Sequence, residues 1–238
     1  MDKPQIYTAS VSSVTRLAGE FYLGTFALVD PKAMCFDAGQ YIIFYLPPPK
    51  LKHTMSIASP PSREGDIEIL QYRVPGGEGS MWFTGLAPGD PVRFLGPLGT
   101  FVLSCDTVRP IVFVATGSGI APIRSMIVDT LKGQGTINNK HMTLFWGLRH
   151  EADVFWKDEF EAMTAAHTNF RFMLTLSQPT DAWKGARGRV TEHVMKEIEN
   201  LKDAEFYLCG NRAMIVDMRG ILAQNGVPLD QIFTETFF

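Results

Sequence analysis

The sequence predicts two halves of different fold class: an antiparallel all-β half over residues 1–106 and a doubly wound parallel α/β half over residues 107–238. Three observations carry this reading. Up to residue 98 the apolar residues come in short β-branched and aromatic runs broken by Gly, Pro and Asp. From Arg109 onward, strand-like runs alternate with segments of helical period. Between the first of those strands and the first helix lies a glycine-rich turn, Gly117-Ser118-Gly119.

In the first half, QIYTASVSSV, EFYLGTFALV, QYIIFYL, DIEILQYRV and DPVRFLGPL read as strands, since β-branched and aromatic side chains suit a pleated, half-buried surface. DPK, LPPPK, REGD and APGD supply the turns between them. A short helix is expected from Ser80 to Leu86. Short strands at this spacing fit either an antiparallel sandwich or a barrel. In the second half, PIVFVAT is a buried strand leading through the glycine turn into the helical segment IAPIRSMIVDTLKG. HMTLFWGL is the next strand and ADVFWKDEFEAMTAA the next helix, followed by strand FRFMLTLS and helix VTEHVMKEIENL. Strand EFYLCG, helix RAMIVDMRGILAQNG and strand QIFTETFF complete the alternation, which is that of a parallel sheet with helices on its faces. The junction falls near Ser104–Arg109.

Composition bounds the function. With 45% hydrophobic and 20% charged residues, the chain has the makeup of a globular protein with a core. Net charge is −3. Residues 1–106 carry 8 basic and 10 acidic side chains, leaving 14 of the 22 basic and 15 of the 25 acidic ones for residues 107–238. Neither half is polybasic, so no nucleic-acid partner is expected. Cys35, Cys105 and Cys209 are scattered, with no C-x-x-C spacing. They form neither a metal site nor an iron–sulfur ligand set, and an odd, scattered set suits a reducing compartment. MDKPQIYTAS lacks the apolar run of a signal peptide, and no segment is long and apolar enough to span a bilayer. The expectation is a cytoplasmic protein without a membrane span.

The turn after PIVFVAT carries the first chemical signal. Thr116 ends the strand, Gly117 and Gly119 permit a tight turn with close backbone approach to a ligand, and Pro122 suits the first turn of a helix. A helix N-terminus in that position offers free N–H groups and partial positive charge to a pyrophosphate. A G-x-G alone is weak evidence; directly after the first strand of a βαβ series it points to a dinucleotide.

Six segments, in order along the chain, resemble the ferredoxin–NADP reductase-like flavoenzymes. SIAS at 56–59 is similar to that family's flavin strand and GGEGS at 76–80 to its flavin phosphate turn. GPLGTF at 96–101 resembles the segment that closes the barrel, and ATGSGIAP at 115–122 the nicotinamide nucleotide turn. FWGLRHEADVFWKDEFE at 145–161 resembles the strand and helix that follow, and YLCGNRAM at 207–214 the cysteine–glycine motif. The resemblance implies an antiparallel Greek-key flavin barrel followed by a pyridine-nucleotide domain. It implies FAD, with FMN as the alternative, and NADH or NADPH, with hydride passing from nicotinamide to flavin. Electrons would then leave for a separate redox protein: a ferredoxin, a flavodoxin or an oxygenase component.

By the same resemblance, Ser56 would hydrogen-bond near the flavin's reacting nitrogen, Cys209 and Gly210 would line the nicotinamide pocket, and Glu235 would tune the site and help relay a proton. Phe237 or Phe238 would cover the flavin ring. Gly77, Gly79 and Ser80 would meet the flavin phosphate, with Lys50 or Lys52 lending charge.

One departure weakens the flavin strand. Where the family usually has Arg-x-Tyr-Ser, this chain has His53-Thr54-Met55-Ser56. Exchanging a permanently charged fork for a histidine of ordinary pKa near 6.5 forfeits a charge-assisted hydrogen bond, about 1.5–3 kcal/mol. Replacing the aromatic stack with the thioether of Met55 costs roughly 0.5–1.5 kcal/mol more. That departure motivates a second reading, an NAD(P)H:flavin reductase that treats flavin as a diffusible substrate. A third is a non-catalytic nucleotide-sensing subunit. For nicotinamide choice, the pair Ser177-Gln178 stands where relatives often have Ser-Arg for the 2′-phosphate, with Arg149 and Arg189 as other candidate cations. One cation fewer leans toward NADH.

Overall fold

The protein is described from a computed structural model covering residues 3–47, 52–104, 109–133 and 140–236. The chain falls into two compact units: Met1–Leu103 with Ala121–Gly135, and Ser104–Ile120 with Thr136–Phe238.

The first unit is built on β1 (Gln5–Ala18), β2 (Phe21–Asp30), β3 (Tyr41–Tyr45), β4 (Lys52–Ser56), β5 (Asp66–Tyr72) and β6 (Pro91–Leu98). They form one antiparallel sheet in the order β4-β3-β6-β1-β2-β5. Strand β6 returns from a distance to lie between β3 and β1, the long connection of a Greek key. The two edge strands then meet. Ile57, just past β4, bridges Ile69 of β5, and the Ala58 amide donates to the Glu68 carbonyl at 2.8 Å. That contact joins the two edge strands and closes the sheet into a barrel. Of the two solutions compatible with the sequence pattern, the chain adopts the barrel.

Alternation along the strands fills the interior. In β3 every second residue is buried, which turns Ile42 and Phe44 inward. Phe44 lies 5.1 Å from Phe26 and 5.7 Å, edge-on, from Phe94, while Phe26 meets Phe83 at 5.8 Å. Phe83 comes from α1 (Glu78–Thr84), the short helix expected near 80–86, so this helix is docked by its aromatic residue. Burying each such ring contributes about 1.5–3 kcal/mol. Helix α2 (Ile120–Leu131) groups with this unit from Ala121 onward.

The second unit holds β7 (Ile111–Thr116), β8 (Met142–Leu148), β9 (Phe170–Leu176), β10 (Ala186–Arg187), β11 (Glu205–Gly210) and β12 (Ile232–Thr236). They make one parallel sheet in the order β10-β9-β8-β7-β11-β12. Its helices are α3 (Lys157–Ala166), α4 (Val190–Glu197) and α5 (Arg212–Gln224). Strands β7 and β11 are buried along nearly their whole length, as central strands covered on both faces must be. Val112, Val114, Phe206 and Leu208 pack in one cluster with Val194 of α4 and Met218 and Leu222 of α5. Phe113 and Tyr207, one residue out of phase, pair with each other at 5.8 Å, and Tyr207 stacks on Phe233 at 4.6 Å.

Two helices are shorter than their sequence patterns. The helix expected over 152–166 is a single 3₁₀ turn at Glu151–Asp153, and α3 starts only at Lys157. Between them Trp156 takes a left-handed φ of 50°, a conformation costing about 1–2 kcal/mol in an L-residue. The break lets Phe155 turn into the core, edge-on to Trp146 at 4.9 Å, with Trp156 against it at 5.0 Å. Aromatic packing here overrides helical period. Similarly, VTEHVMKEIENL is helical only to Glu197, because Ile198 leaves the helix in an extended conformation.

Candidate functional site

In the barrel unit, the segment at 52–59 combines edge strand and closure point. Strand β4 pairs with β3 in a register that sets His53 opposite Phe44, Met55 opposite Ile42 and Ser56 opposite Tyr41. Met55 is buried and belongs to the barrel core. Ser56, the last residue of β4, is 3% exposed, so it is a buried hydroxyl at the end of an edge strand.

His53 is half-buried, and its ring Nε2 lies 2.8 Å from Gln71 Oε1. It also packs against the start of α1: a Cβ added at Gly79 would fall 2.8 Å from Nδ1 and 2.9 Å from Cγ of that ring. Glycine at 79 is therefore what lets the histidine sit there. Ser80 is turned to the preceding loop. Its hydroxyl accepts from the Val74 amide at 3.0 Å and reaches the Gly77 carbonyl at 2.9 Å. The backbone fits a phosphate nonetheless. The amides of Glu78, Gly79 and Ser80 occupy the first turn of α1, where the helix itself supplies no acceptor. A Cβ at Gly76 would meet nothing within 4 Å, so that stretch of backbone faces open space.

In the second unit the strand order gives the site. The chain runs from β7 through β8 and β9 to β10 on one side, then returns to β11 and β12 on the other. Its switch point lies between β7 and β11, where open α/β sheets bind ligands beyond the carboxyl ends of their strands. Thr116 ends β7 there, and Gly117–Gly119 forms a single 3₁₀ turn leading into α2, with Pro122 in its first helical turn. Gly119 is packed on the end of β11: an added Cβ would lie 2.3 Å from the Cys209 carbonyl oxygen and 2.6 Å from Gly210 Cα. The turn is fixed further by Trp146, whose indole N–H donates to the Gly117 carbonyl at 3.1 Å. Thr116 Oγ1 accepts from the Asn211 amide at 2.8 Å, while the Asn211 side chain caps α5 by accepting from Ala213 N. The nucleotide turn and the Cys209-Gly210 motif are thus one packed unit.

Cys209 and Glu235 are cross-strand neighbours on β11 and β12, with Ala115 of β7 on the other side of Cys209. Cys209 is fully buried, and burial first, then the charge of Glu235, pushes its thiol well above the ordinary range. It stays a thiol. Phe237 and Phe238, like Lys50, lie outside the described residues.

The candidates for nicotinamide choice lie on loops after β8, β9 and β10. Ser177 and Gln178 are exposed, and their amides donate to the Leu148 and Arg149 carbonyls at 3.0 and 2.9 Å. His150 Nδ1 lies 2.9 Å from the Gln178 carbonyl. Beside them is an open cleft of about 450 Å³ lined by His150, Glu151, Ala152, Thr180, Ala182 and Trp183. Glu151 Oε1 accepts from both the Thr180 amide and hydroxyl at 2.7 Å, and the hydroxyl bond is the chief reason its carboxyl titrates below the ordinary range. Arg149 is exposed; Arg189 is paired across the surface with Asp217 at 3.7 Å.

The sequence reading passed over several residues that the geometry brings to these sites. Gln71 holds His53, and Trp146 and Asn211 hold the nucleotide turn. Trp146 carried a usable signal, since an indole buried in a parallel strand needs an acceptor for its N–H. Gln71 carried none, because its partner is set by barrel register.

Comparison with known proteins agrees with this geometry. Residues 8–103 match the oxidoreductase FAD-binding domain family and residues 113–220 the oxidoreductase NAD-binding domain family. The chain is 33% identical over 222 residues to ferredoxin–NADP reductase B of Sorangium cellulosum, covering 90% of both chains. It is 31% identical over 217 residues to the reductase component of propane 2-monooxygenase from Rhodococcus jostii, covering 89% of this chain and 58% of that one. Among solved structures, the Amycolatopsis cytochrome P450 reductase GcoB superimposes with a TM-score of 0.89 at 26% identity, covering 98% of this chain and 70% of that one. A FAD-binding barrel followed by an NAD-binding α/β sheet makes this an NAD(P)H-dependent flavoprotein reductase, and the chain belongs to the ferredoxin–NADP reductase-like oxidoreductases.

Proposed function

We propose that this protein oxidises NADH and passes the electrons, through a tightly held FAD, to a separate redox protein that carries its own redox centre. The observation behind this reading is the order of the two modules, with the glycine turn at the sheet's switch point packed against Cys209-Gly210. FAD, when bound, supplies acceptance of a hydride and release of electrons one at a time.

The chain's own residues have narrower tasks. The first-turn amides of α1, with His53 beside them, hold the flavin phosphate, and the Ser56 hydroxyl hydrogen-bonds the flavin ring. Gly117 and Gly119 let the nucleotide's pyrophosphate approach the start of α2. Cys209 and Gly210 shape the nicotinamide pocket as neutral, compact surface, and Glu235 sets the local charge and moves a proton. In this division residues 1–106 serve the flavin and residues 107–238 the nucleotide. NADH is preferred because the cleft beside Gln178 carries the anionic Glu151, which disfavours a 2′-phosphate. The acceptor class is that of the relatives: a ferredoxin or the oxygenase component of a monooxygenase, encountered in the cytoplasm.

His53, engaged by Gln71, favours a second reading in which flavin is exchanged as a substrate. Extended dialysis followed by the visible absorption spectrum separates the two. Retention of one FAD per chain, with NADH-driven reduction of a ferredoxin, is the expected result. A colourless protein that oxidises NADH only when free flavin is added would replace the first reading with the second.

A further inference from the structure

We propose that Arg124 and Ser125, on α2, are positioning residues for the flavin segment, fixing the backbone just beyond Ser56 where the barrel closes. The inference rests on the reading of Ser56 as a flavin contact. All the groups involved lie within the first unit.

Past Ser56 the chain leaves its ladder, and among the described residues the pairing goes on as an isolated Ile57–Ile69 bridge. The Ile57 and Ala58 amides are taken by the Gln40 and Glu68 carbonyls at 3.0 and 2.8 Å. The carbonyls of Ala58 and Ser59 are taken by side chains of α2. Arg124 Nη1 donates to Ala58 O at 2.9 Å, and Ser125 Oγ donates to Ser59 O at 2.7 Å. Ala58, Ser59 and Ser125 are all fully buried, so water cannot substitute for either donor.

The same Arg124 nitrogen donates to Glu68 Oε2 at 3.1 Å, with the two side chains only 14% and 11% exposed. Glu68 Oε1 accepts from Arg63 Nη1 at 2.6 Å, and the Glu68 amide donates to Ser59 Oγ at 3.0 Å. Glu68 is thus braced between two arginines and aims one of them at the backbone two residues from Ser56. A buried ion pair is seldom the most stabilising way to fill such a space, whereas it holds a backbone to one geometry. An apolar residue at 124 would leave the Ala58 carbonyl and one oxygen of Glu68 without this donor. The Ser56 hydroxyl is held at the end of β4 because Ala58 and Ser59, two and three residues on, are clamped from outside the sheet by α2 side chains.

The test compares wild type, Arg124→Met, Arg124→Lys and the charge-balanced pair Arg124→Met/Glu68→Gln. Read-outs are FAD affinity by titration of the apoprotein, the fine structure of the flavin absorption band, and the FAD midpoint potential. Loss of one hydrogen bond to a charged group is expected to weaken FAD binding about tenfold to a hundredfold. A shifted band and potential should accompany it, and lysine should restore part of the affinity. Apoprotein melting is recorded in parallel, and the double variant keeps the comparison open should Arg124→Met fail to fold. A folded double variant with wild-type affinity, band shape and potential would overturn the inference alone. Wild-type protein that binds no flavin would overturn the functional reading and the inference with it.

Discussion

At the scale of single residues, the site chemistry is set by what each side chain is packed against. His53 is the clearest case. In sequence it reads as a weak substitute for an arginine, but in the barrel it is a fitted part, ring against Gly79 and nitrogen against Gln71. On the proposed reading, the α1 amides hold the flavin phosphate more than any side-chain charge does. Cys209 shows the same logic in unit 2. Its thiol is held above its ordinary pKa by burial, so the folded state keeps a proton that the unfolded chain releases near pH 8.5. Above that pH the unfolded state binds fewer protons, and stability falls as pH rises toward the folded-state pKa. Below it the group makes no pH-dependent contribution. The expected outcome is that iodoacetamide at mildly alkaline pH modifies exposed Cys35 and spares Cys209 until denaturant is added. Mass mapping that finds Cys209 alkylated in the native protein would refute this packing.

At the scale of elements, the nucleotide turn depends on close approach of two backbones. Gly119 meets the Cys209 carbonyl so tightly that Gly119→Ala must separate the turn from β11, and main chain cannot yield as a flexible side chain does. Destabilisation of about 1–3 kcal/mol or more is expected, seen as a lower thermal midpoint together with weaker NADH binding. An alanine variant that melts and binds like wild type would show that the approach is not needed. This element also shows what the sequence could reveal. PIVFVAT followed by GSG and a proline is legible because strand, turn and helix start are all local. Strand pattern alone left sandwich and barrel open, because closure rests on the long-range bridge of Ile57 to Ile69, and it was the family resemblance that implied the barrel. The sequence pattern starts α3 too early because Phe155 is placed edge-on against Trp146 of β8 and Trp156 packs in turn on Phe155. Arg124 looks like an ordinary helix arginine until β5 brings Glu68 to it. Local chemistry was readable; residues whose partners lie across the fold were not.

At the scale of the whole molecule, a FAD-binding unit and an NAD-binding unit in one chain imply a single sequence of events, nucleotide oxidation followed by delivery of electrons to a partner. No helix among the described residues is long and apolar enough to cross a membrane. No group of three or more His, Cys, Asp or Glu among them is placed to hold a metal ion. The proposed acceptor is a separate protein with its own redox centre, of the kind the relatives' names carry. The most direct test is anaerobic stopped-flow mixing of the FAD-loaded protein with excess NADH and, separately, NADPH, following the visible flavin band. If the protein is an NADH-dependent flavoprotein reductase, NADH bleaches the band in a fast first-order phase and NADPH does so more slowly. A FAD-loaded protein whose flavin band neither nucleotide bleaches would contradict it.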